Sequence, residues 1–191
     1  MIRKKSFILA LILLLALSVF AFGCEETTTP ERVEKDDTEQ VVTTDRKSGS
    51  SDETAAPATE TFSIGDTVKM GDLEFTLKGA RWDQGDQFMK PDQGERWLVL
   101  DCEIENRSDK STSISSLLMF TLYDEDNYSM DMEFFANTKG SLDGELGAGR
   151  KMAGELAFNV EEGQSTWEFI FEPNVFGFGQ AIYVIAEDEV K

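Results

Sequence analysis

The chain contains no histidine and only two cysteines, Cys24 and Cys102. The missing imidazole excludes Ser-His and Cys-His nucleophile pairs and removes the commonest metal ligand. Two cysteines are too few for a disulfide framework. The sequence also lacks a Gly-x-Ser-x-Gly turn and a phosphate-binding glycine loop. We therefore expect a protein that is not an enzyme and needs no cofactor.

Basic residues are scarce as well. The chain has 18 Lys and Arg against 37 Asp and Glu, which gives a formal net charge of −19. Such an acidic surface repels phosphate backbones, so we expect no binding to nucleic acid. It also repels anionic lipid headgroups, so attachment to a membrane would have to come from a lipid anchor rather than from a basic patch.

The N-terminus has the layout of an export signal. Basic residues at positions 3–5 precede an apolar run over residues 7–22. That run is shorter than the roughly 20 residues of a membrane-spanning helix. Residues 21–24 (Ala-Phe-Gly-Cys) resemble the lipobox of bacterial lipoproteins, which implies cleavage before Cys24 and its acylation. We predict a signal peptide over 1–23 and a lipid on Cys24 that holds the protein on the extracytoplasmic side of the cell membrane; the alternative is an uncleaved signal anchor.

The segment after Cys24 has the composition of a disordered linker. Residues 25–61 contain no aromatic side chain and are rich in Thr, Ser, Glu and Asp. Such a segment buries too little apolar surface to offset the entropy of ordering. We predict that residues 24–61 form a lipidated, acidic spacer and that residues 62–191 form one folded domain.

The folded domain shows the two-residue alternation of β-strands. Apolar residues recur at every second position over short stretches, separated by turn residues, and no helical period of useful length follows the signal. About seven strands at this spacing predict an all-β fold, an antiparallel β-sandwich. Cys102 is expected in the core. The alternating stretches are Leu73–Leu77, Arg96–Glu105, Leu118–Leu122, Tyr128–Met132, Met152–Val160 and Trp167–Phe171. Ala181–Ala186 is apolar on both faces, as expected of a central or final strand.

Several of these stretches resemble the domain of unknown function 4352 family. The resemblance covers residues 62–68, 73–77, 97–101, 120–124 and 146–149, with Gly154 and Phe158 downstream. It implies an immunoglobulin-like sandwich on an exported, often lipid-anchored bacterial protein. It also implies no established catalytic activity.

Two apolar loops are candidates for ligand binding. Trp82 and Phe88 lie in the loop region 81–96, and Phe176 and Phe178 lie in the glycine-rich stretch 175–179. Binding residues collect on the loops of rigid sandwiches, and exposed apolar side chains mark partner surfaces. In the alternative interpretation these side chains fold back and cap the end of the sandwich.

Acidic residues around the turn 124–127 are weak candidates for a calcium site. Asp124, Asp126 and Asp131 could offer oxygen ligands. However, Ser129 and Phe135 stand where an EF-hand loop would need Gly and Glu, and a hairpin turn needs no ion. We therefore predict a turn and no metal.

Together these patterns predict a lipid-anchored extracytoplasmic binding or adaptor domain of unknown ligand. Its contacts would be the membrane, through Cys24, and an envelope protein as a candidate partner. Two alternatives stay open. One is a passive acidic envelope or stress-protective surface protein, and the other is a calcium-dependent binding module.

Overall fold

The computed structural model describes residues 30–33, 60–173 and 179–191. Cys24, Phe176 and Phe178 lie outside the described residues. None of the helices in the described ranges has both the length and the hydropathy needed to cross a membrane. The strands are β1 (Glu31–Arg32), β2 (Thr61–Phe62), β3 (Thr67–Met70), β4 (Leu73–Asp83), β5 (Glu95–Asn106), β6 (Thr112–Ile114), β7 (Phe120–Asp124), β8 (Met132–Glu133), β9 (Gly144–Leu146), β10 (Lys151–Glu161), β11 (Thr166–Phe171) and β12 (Ala181–Ala186).

Two sheets face each other and form a β-sandwich. One has six strands in the order β1-β3-β4-β5-β10-β8, and the other has four in the order β2-β12-β11-β7. Strands β6 and β9 form a small sheet of their own. The prediction of an all-β immunoglobulin-like sandwich is confirmed, and strands β3, β4, β5, β7, β10, β11 and β12 supply its seven longer strands. The pairing is antiparallel as predicted, except that β2 runs parallel to β12.

Alternating side chains from the two sheets fill the space between them. On β5 the inward residues Leu98, Leu100, Cys102 and Ile104 are fully buried, and so are Trp167, Phe169 and Phe171 on β11. Phe75 stacks on Phe171 with ring centroids 4.6 Å apart. Burial raises the pKa of the Cys102 thiol well above its usual value, so this cysteine is an unreactive core residue, as predicted.

A second, smaller apolar cluster lies on the opposite side of the six-stranded sheet. Trp97 and Val99 of β5 are buried there with Ala157 of β10, beneath Ala136 from the segment that follows β8. This cluster explains why the first half of β5 is apolar on both faces. It also places the ring of Trp97 close to the loop between β4 and β5.

Leu118 was expected to share a buried strand face with Phe120 and Leu122, and that prediction is wrong. Residues Ser116–Met119 form a single helical turn, α1, and Leu118 is 63% exposed. The carboxylate of Asp143 accepts hydrogen bonds from the backbone N–H and the hydroxyl of Ser116. This anchor favours a turn here, and β7 begins only at Phe120.

The strand predicted over Tyr128–Met132 is also largely absent from this part of the structure. The turn itself is confirmed, with Asn127 in the left-handed conformation at φ 65°. After the turn, one isolated bridge at Ser129 and the two-residue strand β8 are formed, and Tyr128 is 69% exposed. The Asp124 carboxylate accepts the N–H groups of Asp126 and Tyr128 and so stabilises the turn itself.

Residues 30–33 correct the prediction of a disordered linker over 24–61. Glu31 and Arg32 form β1, which pairs with the edge of β3. Among the described residues no other strand pairs with that edge, because β3 is bonded to β4 on its far side. The linker prediction therefore fails for these four residues, and β2 begins at Thr61, one residue before the predicted boundary.

Candidate functional site

Trp82 lies near the end of β4 and closes one end of the sandwich. Its ring meets that of Trp167 edge-on, with centroids 5.8 Å apart. The guanidinium of Arg96 lies over the other part of the ring, 3.9 Å from its centroid. The backbone N–H of Trp82 donates to the carbonyl of Lys191 at 2.9 Å. These are the contacts of a cap, so the structure favours the capping interpretation for Trp82.

Phe88 has the opposite placement, with 80% of its surface exposed. The loop that carries it is held by Asp86, whose carboxylate accepts the N–H groups of Phe88 at 2.7 Å and Met89 at 2.9 Å. These hydrogen bonds, from Met89 and from Phe88, lower the pKa of Asp86. Gly85 makes the tight turn possible, since a Cβ there would lie 2.0 Å from the Met89 carbonyl oxygen. Phe88 is thus presented to solvent by a well-bonded loop.

Two further aromatic residues are exposed on another segment. Phe134 and Phe135, which follow β8, are 68% and 66% exposed, and Met89 is 42% exposed. Met89 and Phe135 line one shallow depression of about 120 Å³ whose floor includes Trp97. Phe134 instead lines a separate depression with Ser116 and Leu142. We call Phe88, Met89 and Phe135 the outer patch. Sequence reasoning missed its second half, although two consecutive Phe residues break the strand alternation at 134–135.

Charged contacts fix the segment that carries Phe134 and Phe135. Arg81 donates to the Asn137 carbonyl at 2.7 Å and to Glu155 at 2.8 Å. The Asp83 carboxylate accepts the Asn137 N–H. The hydrogen bond to Glu155 raises the pKa of Arg81, so the pair stays ionised. The segment that follows β8 is therefore tied to the end of β4, and Arg81 is tied to the middle of β10.

A larger cleft of about 530 Å³ lies on the other side of the β4–β5 loop. Trp82 and Arg96 form part of its wall, with Lys90, Asp92 and Glu162 around it. Arg96 forms an ion pair with Glu187 at 2.8 Å, and its buried Nε has no hydrogen-bond partner among the described residues. The cleft offers hydrogen-bond donors and acceptors next to an aromatic wall.

The carboxylate of Asp124 in the acidic turn accepts hydrogen bonds from other groups of the protein. Asp124 is buried, and its second oxygen accepts a hydrogen bond from the Gln164 side chain at 2.9 Å. Asp126 and Asp131 are exposed. Across the described ranges, no three carboxylate, cysteine or histidine side chains are grouped as metal ligands would be. The structure thus does not bring Asp124, Asp126 and Asp131 together as a calcium-binding group.

The fold places the chain among the β-sandwich proteins. The family model for the domain of unknown function DUF4352 matches residues 62–182. The chain therefore belongs to that family, as the resemblance of its short stretches predicted. No curated protein matches the chain significantly.

Solved structures of low sequence identity are similar to this chain. A candidate lipoprotein from Bacillus subtilis (ycdA) is 19% identical with a TM-score of 0.50, over 61% of this chain and 37% of that one. This chain thus spans little more than a third of that protein. A candidate lipoprotein from Staphylococcus aureus is 11% identical with a TM-score of 0.49, over 69% and 95% of the two chains. The yjhA protein of B. subtilis is 22% identical with a TM-score of 0.46, over 58% and 80%.

Proposed function

We propose that the chain is a lipid-anchored extracytoplasmic adaptor whose sandwich binds an envelope protein through the outer patch and catalyses no reaction. The observation that carries the proposal is the exposure of Phe88 and Phe135 on two segments that are fixed by hydrogen bonds. Exposed aromatic residues on rigid loops are typical of partner surfaces, because little conformational entropy is lost on binding.

The anchoring part of the proposal depends on Cys24. The lipobox-like residues 21–24 support acylation there, and structural neighbours described as candidate lipoproteins agree with it. We expect mass spectrometry of the membrane fraction to find a lipid-modified N-terminal Cys24. Recovery of the chain with an unmodified Met1 would contradict the anchor without affecting the outer patch.

Charge defines the kind of partner that fits the patch. Four carboxylates, those of Asp86, Asp92, Glu95 and Glu133, lie in or beside the two segments, and Lys90 lies among them. The matching surface on a partner would therefore combine apolar side chains with Lys or Arg. An anionic bilayer surface is a poor match for the same reason.

Site-specific photocrosslinking in the native envelope tests the binding part. A photoreactive phenylalanine analogue at position 88 should capture one defined protein, and a second substitution, Phe135→Ser, should reduce that capture at least fivefold. The same analogue at Leu117, which is 65% exposed on α1, serves as the matched control and should not capture that protein. Equal capture from positions 88 and 117 would favour the passive acidic surface protein instead.

A further inference from the structure

The two-residue strand β1 is the part of the fold nearest in sequence to the proposed anchor. Glu31 lies opposite Lys69 of β3, so residues of opposite charge face each other across the pair, and Arg32 lies opposite Val68. The N–H of Val33 donates to the Thr67 carbonyl at 2.9 Å. A segment from the predicted linker thus extends the six-stranded sheet at its edge.

Arg32 provides most of the specific contacts of this segment. Its guanidinium forms an ion pair with Asp66 and approaches Glu60 at 3.9 Å. The same group lies 5.1 Å from the centroid of the Phe62 ring and can donate to the Thr61 carbonyl at 3.5 Å. Two carboxylates, a carbonyl and an aromatic face therefore surround a single cation, and such a set recognises arginine in particular.

The sandwich itself holds this receptor in shape. The carboxylate of Asp66 accepts the Ser63 N–H at 2.8 Å, and the Asp66 N–H donates to the Ser63 carbonyl at 3.1 Å. Phe62 is 1% exposed and packs on Tyr183 with ring centroids 5.7 Å apart. The Tyr183 hydroxyl donates to the Asp66 carbonyl at 3.1 Å. The acceptor groups are thus positioned by the core and not by the strand that docks on them.

The docked strand, by contrast, buries little apolar surface. Both residues of β1 are exposed and neither packs in the core. An element with exposed hydrogen bonds and little apolar burial opens at a small fraction of the global unfolding free energy. From these observations we propose that the edge of β3, with Asp66, Glu60 and Phe62, is a docking site for an extended segment carrying arginine, and that residues 31–33 occupy it as a releasable strap.

The strap changes the reach of the domain if Cys24 carries the anchor, so this consequence rests on the proposed function. Seven residue steps separate Cys24 from Glu31, which span at most about 25 Å when fully extended. With the strap released, 37 steps separate Cys24 from Thr61. These span at most about 130 Å and have a root-mean-square length of about 35 Å as a flexible coil. Docking would therefore hold the sandwich close to the bilayer.

Limited trypsin digestion of the full-length chain in detergent tests the strap directly, because trypsin cleaves after Arg32. The rate of this cleavage is measured relative to cleavage after Arg46 in the same chain. Asp66→Asn removes the charge that Arg32 contacts while keeping an oxygen for the Ser63 N–H. We expect it to raise the relative rate at least fivefold. Asp101→Asn, which removes an ion pair with Lys78 elsewhere on the sheet, is the matched control and should leave the rate unchanged.

A peptide competition keeps the test independent of any mutation. A synthetic peptide of residues 29–36, at millimolar concentration, should displace the strap of the wild-type chain and raise cleavage after Arg32. The same peptide with Arg32→Ala should have no effect. Equal rates in the wild type and Asp66→Asn, no displacement by either peptide, or equal displacement by both would each overturn the proposal. None of these readouts depends on acylation or on the outer patch, so its failure is distinguishable from that of the proposed function.

Discussion

Replacing Trp82 and Phe88 one at a time separates the residue that caps the sandwich from the residue that faces a partner. Trp82→Ser removes the edge-on contact with Trp167 and the contact with the Arg96 guanidinium. Phe88→Ser removes a side chain that is 80% exposed. The two substitutions make the same chemical change from a large aromatic to a small polar side chain, so each serves as the control for the other.

The expected stability changes follow from those contacts. An aromatic pair contributes about 0.5–1.5 kcal/mol beyond its buried area, and a cation–π contact contributes about 0.5–2 kcal/mol. With the lost apolar burial, Trp82→Ser should cost about 2–4 kcal/mol. At roughly 3–4 °C per kcal/mol for a domain of this size, Tm should fall by about 6–16 °C. Phe88→Ser should change stability by less than about 0.5 kcal/mol.

Thermal unfolding followed by circular dichroism provides the measurement, with urea unfolding as a second route to the free energy. The reasoning also requires that Phe88→Ser reduce partner capture in the envelope while the fold stays intact. A fall of Tm by more than about 5 °C in Phe88→Ser, or an unchanged Tm in Trp82→Ser, would refute the assignment of the two residues.

The remaining predictions concern the sheet that supports the patch. Gly154→Ala would place a Cβ 2.8 Å from the backbone of Ser141, so it should lower the unfolding free energy by about 1–3 kcal/mol. Gly79→Ala is the control, because a Cβ there has no atom within 4 Å, and it should lower the unfolding free energy by less than about 1 kcal/mol. Burial acts to raise the pKa of Glu155, but hydrogen bonds from Arg81 and the Lys139 N–H, with their charges, hold it below its usual value. Its stabilising contribution should therefore be complete above the unfolded value of about 4.3 and be lost as pH falls below it. Chemical unfolding at a series of pH values should show that the unfolding free energy of Glu155→Gln falls less on acidification than that of the wild type. Identical pH dependence in the two proteins would contradict this role.

The strands with an unbroken alternation could be predicted from sequence. Leu98–Ile104 and Trp167–Phe171 place a bulky apolar residue at every second position, and burial between two sheets requires that period. The first half of β5 is apolar on both faces because Trp97 and Val99 are buried in the second, smaller cluster. The turn at 124–127 was predictable because Asn tolerates the positive φ that the turn requires.

The errors arise where a distant group overrides the local pattern. Leu118 fits the strand period, but Asp143, far away in sequence, anchors Ser116 and favours a helical turn. Arg32 sits in a segment of linker composition, and its partners Asp66 and Phe62 are brought to it only by the folded sheet. Phe134 and Phe135 carried no strand period, so nothing local related them to Phe88. The outer patch is assembled by the contacts of Arg81 and Asp83 with Asn137.

The central claim is that the outer patch of an anchored sandwich holds a protein partner. Its most direct test is to quantify the partner that copurifies from native membranes with the full-length Phe88→Ser/Phe135→Ser variant, relative to wild type. Leu117→Ser/Leu118→Ser, which changes two residues of similar exposure on α1, is the matched control. The account predicts at least a tenfold loss in the patch variant and none in the control, with membrane association unchanged in both. Equal recovery from the patch variant and the wild type would contradict it.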